Sequence, residues 1–234
     1  MPTASSLLNR ALAATTAALV SAFVATSSSS APLHAAPTTP AKRTADAPRT
    51  GVREPSDRWL AGLGARHKQF FDAPTPNGGI PLVHVMNYYD TYNKAYQVKD
   101  TDVDAVLTFY GATTFYGVND AAWAKYRIGE FLETNDAATG KPVTFNPWRT
   151  APNILGMTLA PASIETLHKR GATFILCNNA LQIFSGMLAA KRRLSADAVY
   201  QDLKANILPE VELVPGMVIA VEQAQRAGLT YHRQ

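Results

Sequence analysis

The feature that most constrains the fold is the alternation, from residue 56 onward, of apolar runs of strand length with segments of helical period. Such alternation is typical of a mostly parallel sheet that is covered by helices. The predicted strands are residues 80–86, 104–110, 172–177, 211–214 and 229–232. We therefore expect a doubly wound α/β fold, with a mostly parallel five-stranded sheet and helices on both of its faces.

Helices are predicted between these strands from apolar spacing and from capping residues. They are expected at residues 88–98, after Asn119 or Asp120, between Ser163 and Gly171, at residues 179–191, between Ser195 and Pro209, and between Met217 and Gly228. The apolar face of the helix after Asn119 is expected to comprise Ala121, Ala124, Ile128, Phe131 and Leu132. Residues 135–160 hold Gly and Pro at short intervals, which predicts an irregular surface excursion.

The N-terminal residues are typical of an exported protein. Residues 11–25 are apolar and follow a start that carries one basic residue, the pattern of a secretory signal peptide. We expect a signal peptide at residues 1–35, a disordered linker rich in Ser, Ala, Pro and Thr at residues 36–55, and the α/β domain at residues 56–234. The expected location is the periplasm, and the alternative is a disordered leader on a cytoplasmic protein.

Composition and charge argue against several classes of partner. Hydrophobic residues make up 47% of the chain and charged residues 17%, which is ordinary globular usage. The longest basic run is Lys191, Arg192 and Arg193, which is typical of a solvated helix end rather than a nucleic-acid patch. The apolar N-terminal segment is too short for a membrane span. We therefore expect neither a nucleic-acid partner nor stable membrane insertion.

The residues also give no sign of a metal or a cofactor. The histidines His67, His84, His168 and His232 lack the paired spacing of metal ligands. The loop that follows the first predicted strand, residues 86–90, lacks the glycines with which proteins cradle phosphate groups. We therefore expect no metal and no cofactor.

The carboxyl ends of parallel strands indicate where a ligand would bind, because the loops there face outward and helix N-termini point into the crevice. By this rule the candidate catalytic residue is Cys177. The candidate binding residues at the same edge are Asn87, Tyr88, Gly111, Thr113, Asn178 and Asn179. Because the chain has one cysteine, an intramolecular disulfide, a CxxC pair and a cysteine-rich zinc site are excluded.

Two interpretations of Cys177 follow from its position after the apolar strand residues. Asn178 is expected to cap the next helix, and the positive end of that helix would favour a nucleophilic thiolate. Cysteine is also among the most buried residue types, which is equally consistent with a core thiol. The spacing of the residues alone favours neither interpretation.

Three segments resemble the DsrE/DsrF-like family of small sulfur-relay proteins. They are residues 171–181 (GATFILCNNAL), 211–216 (VELVPG) and 222–231 (EQAQRAGLTY). The resemblance implies a doubly wound fold, assembly into small homo-oligomers, and a persulfide on Cys177 that carries sulfane sulfur to or from a partner protein. The chain departs from the family at residues 135–160 and at the helix that begins after Ser195.

Two other functions remain open beside a sulfur carrier. Tyr88, Tyr89, Tyr92, Phe109, Tyr110, Phe115 and Tyr116 are expected either to line a pocket for a small organic ligand or to belong to the core. The chain would then be a non-catalytic periplasmic binding protein, or an assembly protein, in which Cys177 is a buried core thiol.

Overall fold

Parallel strands form the central sheet of the computed structural model, which describes residues 58–234. The strands are β1 (His67–Asp72), β2 (Val103–Phe109), β5 (Thr173–Cys177), β6 (Val211–Val214) and β7 (Thr230–Arg233). Their order is β6-β5-β2-β1-β7, and every neighbouring pair is parallel. Two further strands, β3 (Asn153–Ile154) and β4 (Met157–Thr158), form a separate antiparallel hairpin.

Helices connect these strands and cover both faces of the sheet. They are α1 (Arg58–Ala61), α2 (Ile80–Tyr96), α3 (Asp120–Tyr126), α4 (Ile128–Phe131), α5 (Ile164–Lys169), α6 (Asn178–Arg192), α7 (Ala196–Ala205) and α8 (Met217–Arg226). The doubly wound α/β fold with a parallel five-stranded sheet is therefore confirmed. No helix within residues 58–234 is long and apolar enough to cross a membrane.

The sheet separates two apolar cores. Phe71 of β1 belongs to the larger core, together with Leu82 of α2 and Leu181 of α6. Phe70, the preceding residue, belongs to the smaller core, together with Met217 of α8. Successive side chains of a strand point to opposite faces, so these neighbours identify the two sides of the sheet. The predicted signal peptide and linker, residues 1–55, lie outside the described residues.

The prediction for residues 80–86 is wrong, because these residues begin α2 rather than forming a strand. Gly79 precedes the helix in a left-handed conformation, and Pro81 lies in the first turn, where a missing N–H costs no helical hydrogen bond. Leu82, Val85 and Tyr89 are buried with helical spacing. The helix predicted at residues 88–98 is the second half of this same helix.

The strand that the sequence did not reveal is β1. Its first residues, His67 and Lys68, are polar, and only Phe70 and Phe71 form a short apolar run. In the fold β1 lies between β2 and β7 and is buried at its carboxyl end. The other four predicted strands are confirmed to within one residue at each end.

Side-chain caps begin three of the predicted helices. Asn119, Ser163 and Ser195 accept hydrogen bonds from backbone amides three residues later, at 3.0, 3.2 and 3.4 Å. The face predicted for the helix after Asn119 is wrong at Ala121 and Ala124, which are exposed, whereas Ile128, Phe131 and Leu132 pack in or against the larger core as predicted. The buried face is Ala122, Trp123 and Tyr126.

Residues 135–160 contain little regular structure, as predicted, but they are more than a surface excursion. Val143, Trp148 and Ile154 from this segment belong to the larger core. Asn146 is buried and donates hydrogen bonds to the carbonyl oxygens of Tyr116 and Val118. The segment therefore closes one side of the core.

Candidate functional site at the carboxyl edge of the sheet

Cys177 lies at the carboxyl end of β5, where the chain passes directly into α6. Its Sγ atom accepts a hydrogen bond from the backbone amide of Ala180 at 3.4 Å. It accepts a second from the backbone amide of Met217 at 3.3 Å. The predicted capping by Asn178 is wrong, since Cys177 itself is the N-cap of α6. One sulfur therefore receives amide donors from the first turns of two helices.

The strand register explains how one sulfur reaches both helices. Cys177 is paired in the sheet with Val214 of β6, and β6 leads within three residues into α8. Alternation along β5 places Cys177 on the same face as Ile175, in the smaller core, against which α8 packs. The side chain is 5% exposed. The sulfur is thus held between the N-termini of α6 and α8.

The local electrostatics at this sulfur are those of two helix N-termini. Unpaired amide groups in the first turn of a helix carry partial positive charge, and they stabilise an anion placed against them. The two helices, α6 and α8, contain 15 and 10 residues. Sulfur is a weak acceptor when neutral and a stronger one when charged. The first turns of two helices therefore each direct a backbone amide at this one sulfur.

Asn178 and Asn179 lie beside Cys177, as predicted, with different contacts. Asn178 is half-buried, and its Oδ1 accepts a hydrogen bond from the Tyr200 hydroxyl at 2.7 Å, which joins α6 to α7. Asn179 is exposed, and its amide nitrogen lies 3.3 Å from the point where a Cβ on Gly216 would stand. Asn179 therefore lies beside the residue that precedes α8, whereas Asn178 joins two neighbouring helices.

Gly111 and Thr113 also follow a strand, β2, but their contacts are with the neighbouring loop after β1. The Thr113 hydroxyl is fully buried and donates to the carbonyl oxygen of Ala73 at 2.6 Å. Gly111 has a φ of 59°, and a Cβ there would lie 2.9 Å from the Pro74 carbonyl oxygen. Both residues join the loop after β2 to the loop after β1.

Asn87 and Tyr88 do not lie at a strand end, which corrects their predicted position. Both are in the middle of α2, because the strand predicted before them is the first half of that helix. They line a cleft between α2 and the strands β1 and β7, on the larger-core side of the sheet. Cys177 lies on the other side.

The sequence analysis missed Asp72, which ends β1 on the same face as Cys177. The side chain of Asp72 is 3% exposed. Oδ2 accepts a hydrogen bond from the Tyr231 hydroxyl at 2.5 Å and lies 3.6 Å from the Arg233 guanidinium. Oδ1 has no hydrogen-bond partner among the described residues. A charged group buried with an unsatisfied oxygen is costly unless something else contacts it.

Tyr110 lies between Asp72 and Cys177 in the order of the strands. It follows β2 directly and packs against the smaller core that contains Cys177. Burial first, and then the Asp72 carboxylate, raise the pKa of Tyr110 well above its ordinary value of 10.0. The phenol therefore stays protonated, and the Asp72 carboxylate is its hydrogen-bonding partner.

A sequence signal for Asp72 exists, although it is short. The aromatic pair Phe70 and Phe71 is followed at once by an acidic residue and then by a turn rich in Pro and Gly. A turn of this composition is compatible with the end of a preceding strand as well as with the start of a following one. No group of three or more His, Cys, Asp or Glu side chains in residues 58–234 is arranged to hold a metal ion.

No protein-family model matches this chain, and no curated protein matches its sequence at a significant level. The assignment of a function therefore depends on the geometry of the site itself.

Proposed function

We propose that this chain is a sulfur carrier or sulfurtransferase that holds sulfane sulfur as a persulfide on Cys177. The observation that carries the proposal is the pair of backbone amides, from Ala180 and Met217, that donate to a single sulfur. A persulfide is an anionic nucleophile near neutral pH, and such donors stabilise an anionic sulfur. The resemblance of the segments around Cys177 to sulfur-relay proteins supports the same chemistry.

The loading step needs one nucleophile and one sulfane-sulfur donor. With thiosulfate as donor, the Cys177 thiolate attacks the outer sulfur, a new S–S bond forms, and the bond to the sulfonate sulfur breaks. Sulfite leaves with the electron pair of that bond, and the protein keeps Cys–S–S⁻. No external oxidant or reductant is required, because the donor itself is reduced to sulfite.

The absence of a second cysteine determines how the sulfur leaves. In the 234-residue chain no other thiol exists to resolve the persulfide as an internal disulfide. The outer sulfur must therefore pass to a thiol or another nucleophile on a separate molecule. This predicts that the acceptor is a separate protein or a small thiol, and that the donor is a molecule or partner protein that itself carries sulfane sulfur.

Access to Sγ is expected from the side on which Asn179 lies. Gly216, which precedes α8, is buried against the side chain of Asn179, which is itself exposed. Pro215 and Val218, which flank this point in the sequence, are exposed. A donor that reaches Cys177 there also meets the amides of the first turns of α6 and α8.

The proposal includes the location and assembly that the sequence indicates. We place the protein in the periplasm, exported by residues 1–35, and we expect a small homo-oligomer. Fractionation of cells that express the full chain tests the first statement, and the mass of the purified protein in solution tests the second.

Cyanide release tests the carrier function. Native protein is incubated with thiosulfate, freed of it by gel filtration, and treated with cyanide, which takes the outer persulfide sulfur to form thiocyanate. We expect close to one thiocyanate per chain from the unaltered protein and none from Cys177→Ser. Equal thiocyanate from both proteins, or none from either, would mean that Cys177 is a core thiol with no sulfur chemistry.

A further inference from the structure

A cleft on the side of the sheet opposite Cys177 has the features of a small-molecule site. It lies between α2 and the neighbouring strands β1 and β7, and its volume is about 350 Å³. That volume is at the lower end of the range of about 300–1,000 Å³ found for ligand pockets. It accommodates a molecule of one or two rings.

Aromatic side chains form most of the wall. The rings of Tyr88 and Tyr92 meet edge to face, with centroids 5.0 Å apart and planes at 88°. The rings of Phe71 and Tyr88 meet similarly, at 5.6 Å and 74°. Rings held at right angles present both a face and an edge to an occupant, which favours a planar aromatic partner.

Polar groups stand at defined points of the same cleft. Gln69 lies on β1, and Asn87 and Thr91 lie one helical turn apart on α2. Each carries hydrogen-bonding atoms, and Asn87 and Thr91 are exposed at the rim. A few placed polar groups in an otherwise apolar cleft are typical of sites that orient one ligand.

The cleft is lined without any carboxylate, ammonium or guanidinium group. None of its lining residues is Asp, Glu, Lys or Arg. Burial first, and then the nearby imidazole of His84, hold the pKa of His232 below its ordinary value of 6.5. The rings of His84 and His232 are stacked, with centroids 5.4 Å apart. A charged occupant would therefore lose hydration without gaining a counter-ion.

We propose that this cleft binds an uncharged, planar aromatic or heteroaromatic molecule of one or two rings that carries a hydrogen-bonding substituent. The ring packs against Tyr88 and Tyr92, and the substituent meets the amide of Asn87 or Gln69. This site is separate from Cys177 and does not depend on the sulfur-carrier function.

Probes that differ in charge test the proposal. Nicotinamide and indole are the uncharged probes, and phenyltrimethylammonium is the cationic probe. Each is titrated into the full-length protein, and its binding is measured by ligand-observed NMR. Thr91→Trp fills the rim of the cleft from an exposed position. Lys94→Trp is the matched control, because it adds the same ring at an exposed position of the same helix that does not line the cleft.

We expect at least one uncharged probe to bind the unaltered protein and the Lys94→Trp variant with equal affinity. The same probe should bind the Thr91→Trp variant at least tenfold more weakly. The cationic probe is expected to bind more weakly than the uncharged ones. The proposal is overturned if no uncharged probe binds, if Thr91→Trp binds as the unaltered protein does, or if the cationic probe binds most tightly.

Discussion

The backbone amide of Met217 donates to the Cys177 sulfur at 3.3 Å, although the two residues are 40 positions apart in the chain. The contact joins the carboxyl end of β5 to the first turn of α8. Together with the local bond from Ala180, it makes the sulfur a shared cap of two helices. The stability of the domain and the chemistry proposed for Cys177 therefore depend on the same two hydrogen bonds.

Replacing the sulfur by an oxygen is expected to preserve the cap, and removing it is expected to break the cap. Cys177→Ser keeps an acceptor for both amides, whereas Cys177→Ala leaves two buried donors unpaired. Each unpaired donor costs about 1–3 kcal/mol, so the alanine variant should have a free energy of unfolding lower than the serine variant by about that amount or more. Urea unfolding of both variants measures this, and equal midpoints would show that the amides do not depend on the side chain.

Removing one donor while keeping the helix is expected to slow persulfide formation. Met217 is the first residue of α8, a position at which proline is compatible with a helix, and Gly216 before it is already extended. Met217→Pro therefore deletes the N–H that faces Cys177. A hydrogen bond to a charged group contributes about 1.5–3 kcal/mol, which corresponds to a loading rate roughly tenfold to a hundredfold lower.

The control for this variant is Met217→Leu, which keeps the amide and fills a similar buried volume. Its rate with thiosulfate should equal that of the unaltered chain. If Met217→Pro and Met217→Leu load at the same rate, the amide of α8 contributes nothing to the reaction.

The Tyr231 hydroxyl is expected to stabilise the buried Asp72 carboxylate. Tyr231→Phe removes the donor to Oδ2 and leaves the Tyr110 phenol and the largely exposed Arg233, 3.6 Å away, as partners of the carboxylate. A double-mutant cycle with Asp72→Asn should give a coupling free energy of about 1–3 kcal/mol, because the hydroxyl matters only when the carboxylate is present. Additive effects of the two substitutions would exclude the pairing.

The stability that Arg170 contributes through its ion pairs with Asp90 and Asp100 is expected to be lost in acid. Hydrogen bonds from Lys94 and then from Arg170 hold the pKa of Asp90 below its usual 3.8. Burial opposes the shift at Asp100, yet Arg170 still lowers its pKa below 3.8. Carboxyl groups with a lowered pKa stabilise the fold above their unfolded value, and that contribution is lost as the pH falls below 3.8.

Arg170→Met should therefore lower the free energy of unfolding by about 1–3 kcal/mol at pH 7, and the difference should shrink steadily below about pH 4. Arg226→Met serves as the control, because its pair with Glu222 is exposed and is expected to contribute close to nothing at either pH. A difference for Arg170→Met that is independent of pH would show that the arginine acts by packing alone.

The sequence predicted most of the fold because hydrophobic spacing and capping are local. Ser163 and Gly171 bound their helix as expected, and the apolar run that ends at Cys177 is a strand. The strand β1 was missed because its apolar content is two residues, and its position is determined by pairing with β2 and β7, which lie far along the chain.

The candidate site was only partly predictable for the same reason. Cys177 was found from its place at a strand end, but the bond from Met217 joins elements that no local pattern connects. Because β1 was not predicted, Asp72 was not considered as a site residue. Asn87 and Tyr88 were assigned to a strand end, whereas they lie on α2 and line the cleft on the side of the sheet opposite Cys177. Two of the predicted site residues were therefore misplaced, and one residue at the strand ends was missed.

The intact mass of native protein after exposure to thiosulfate or polysulfide tests the central claim most directly. We predict a gain of one sulfur atom, about 32 Da, on the unaltered chain, which a thiol reductant removes, and no gain on Cys177→Ser. An unaltered chain that shows no such gain, or a gain that persists in Cys177→Ser, would contradict the assignment of a persulfide to Cys177.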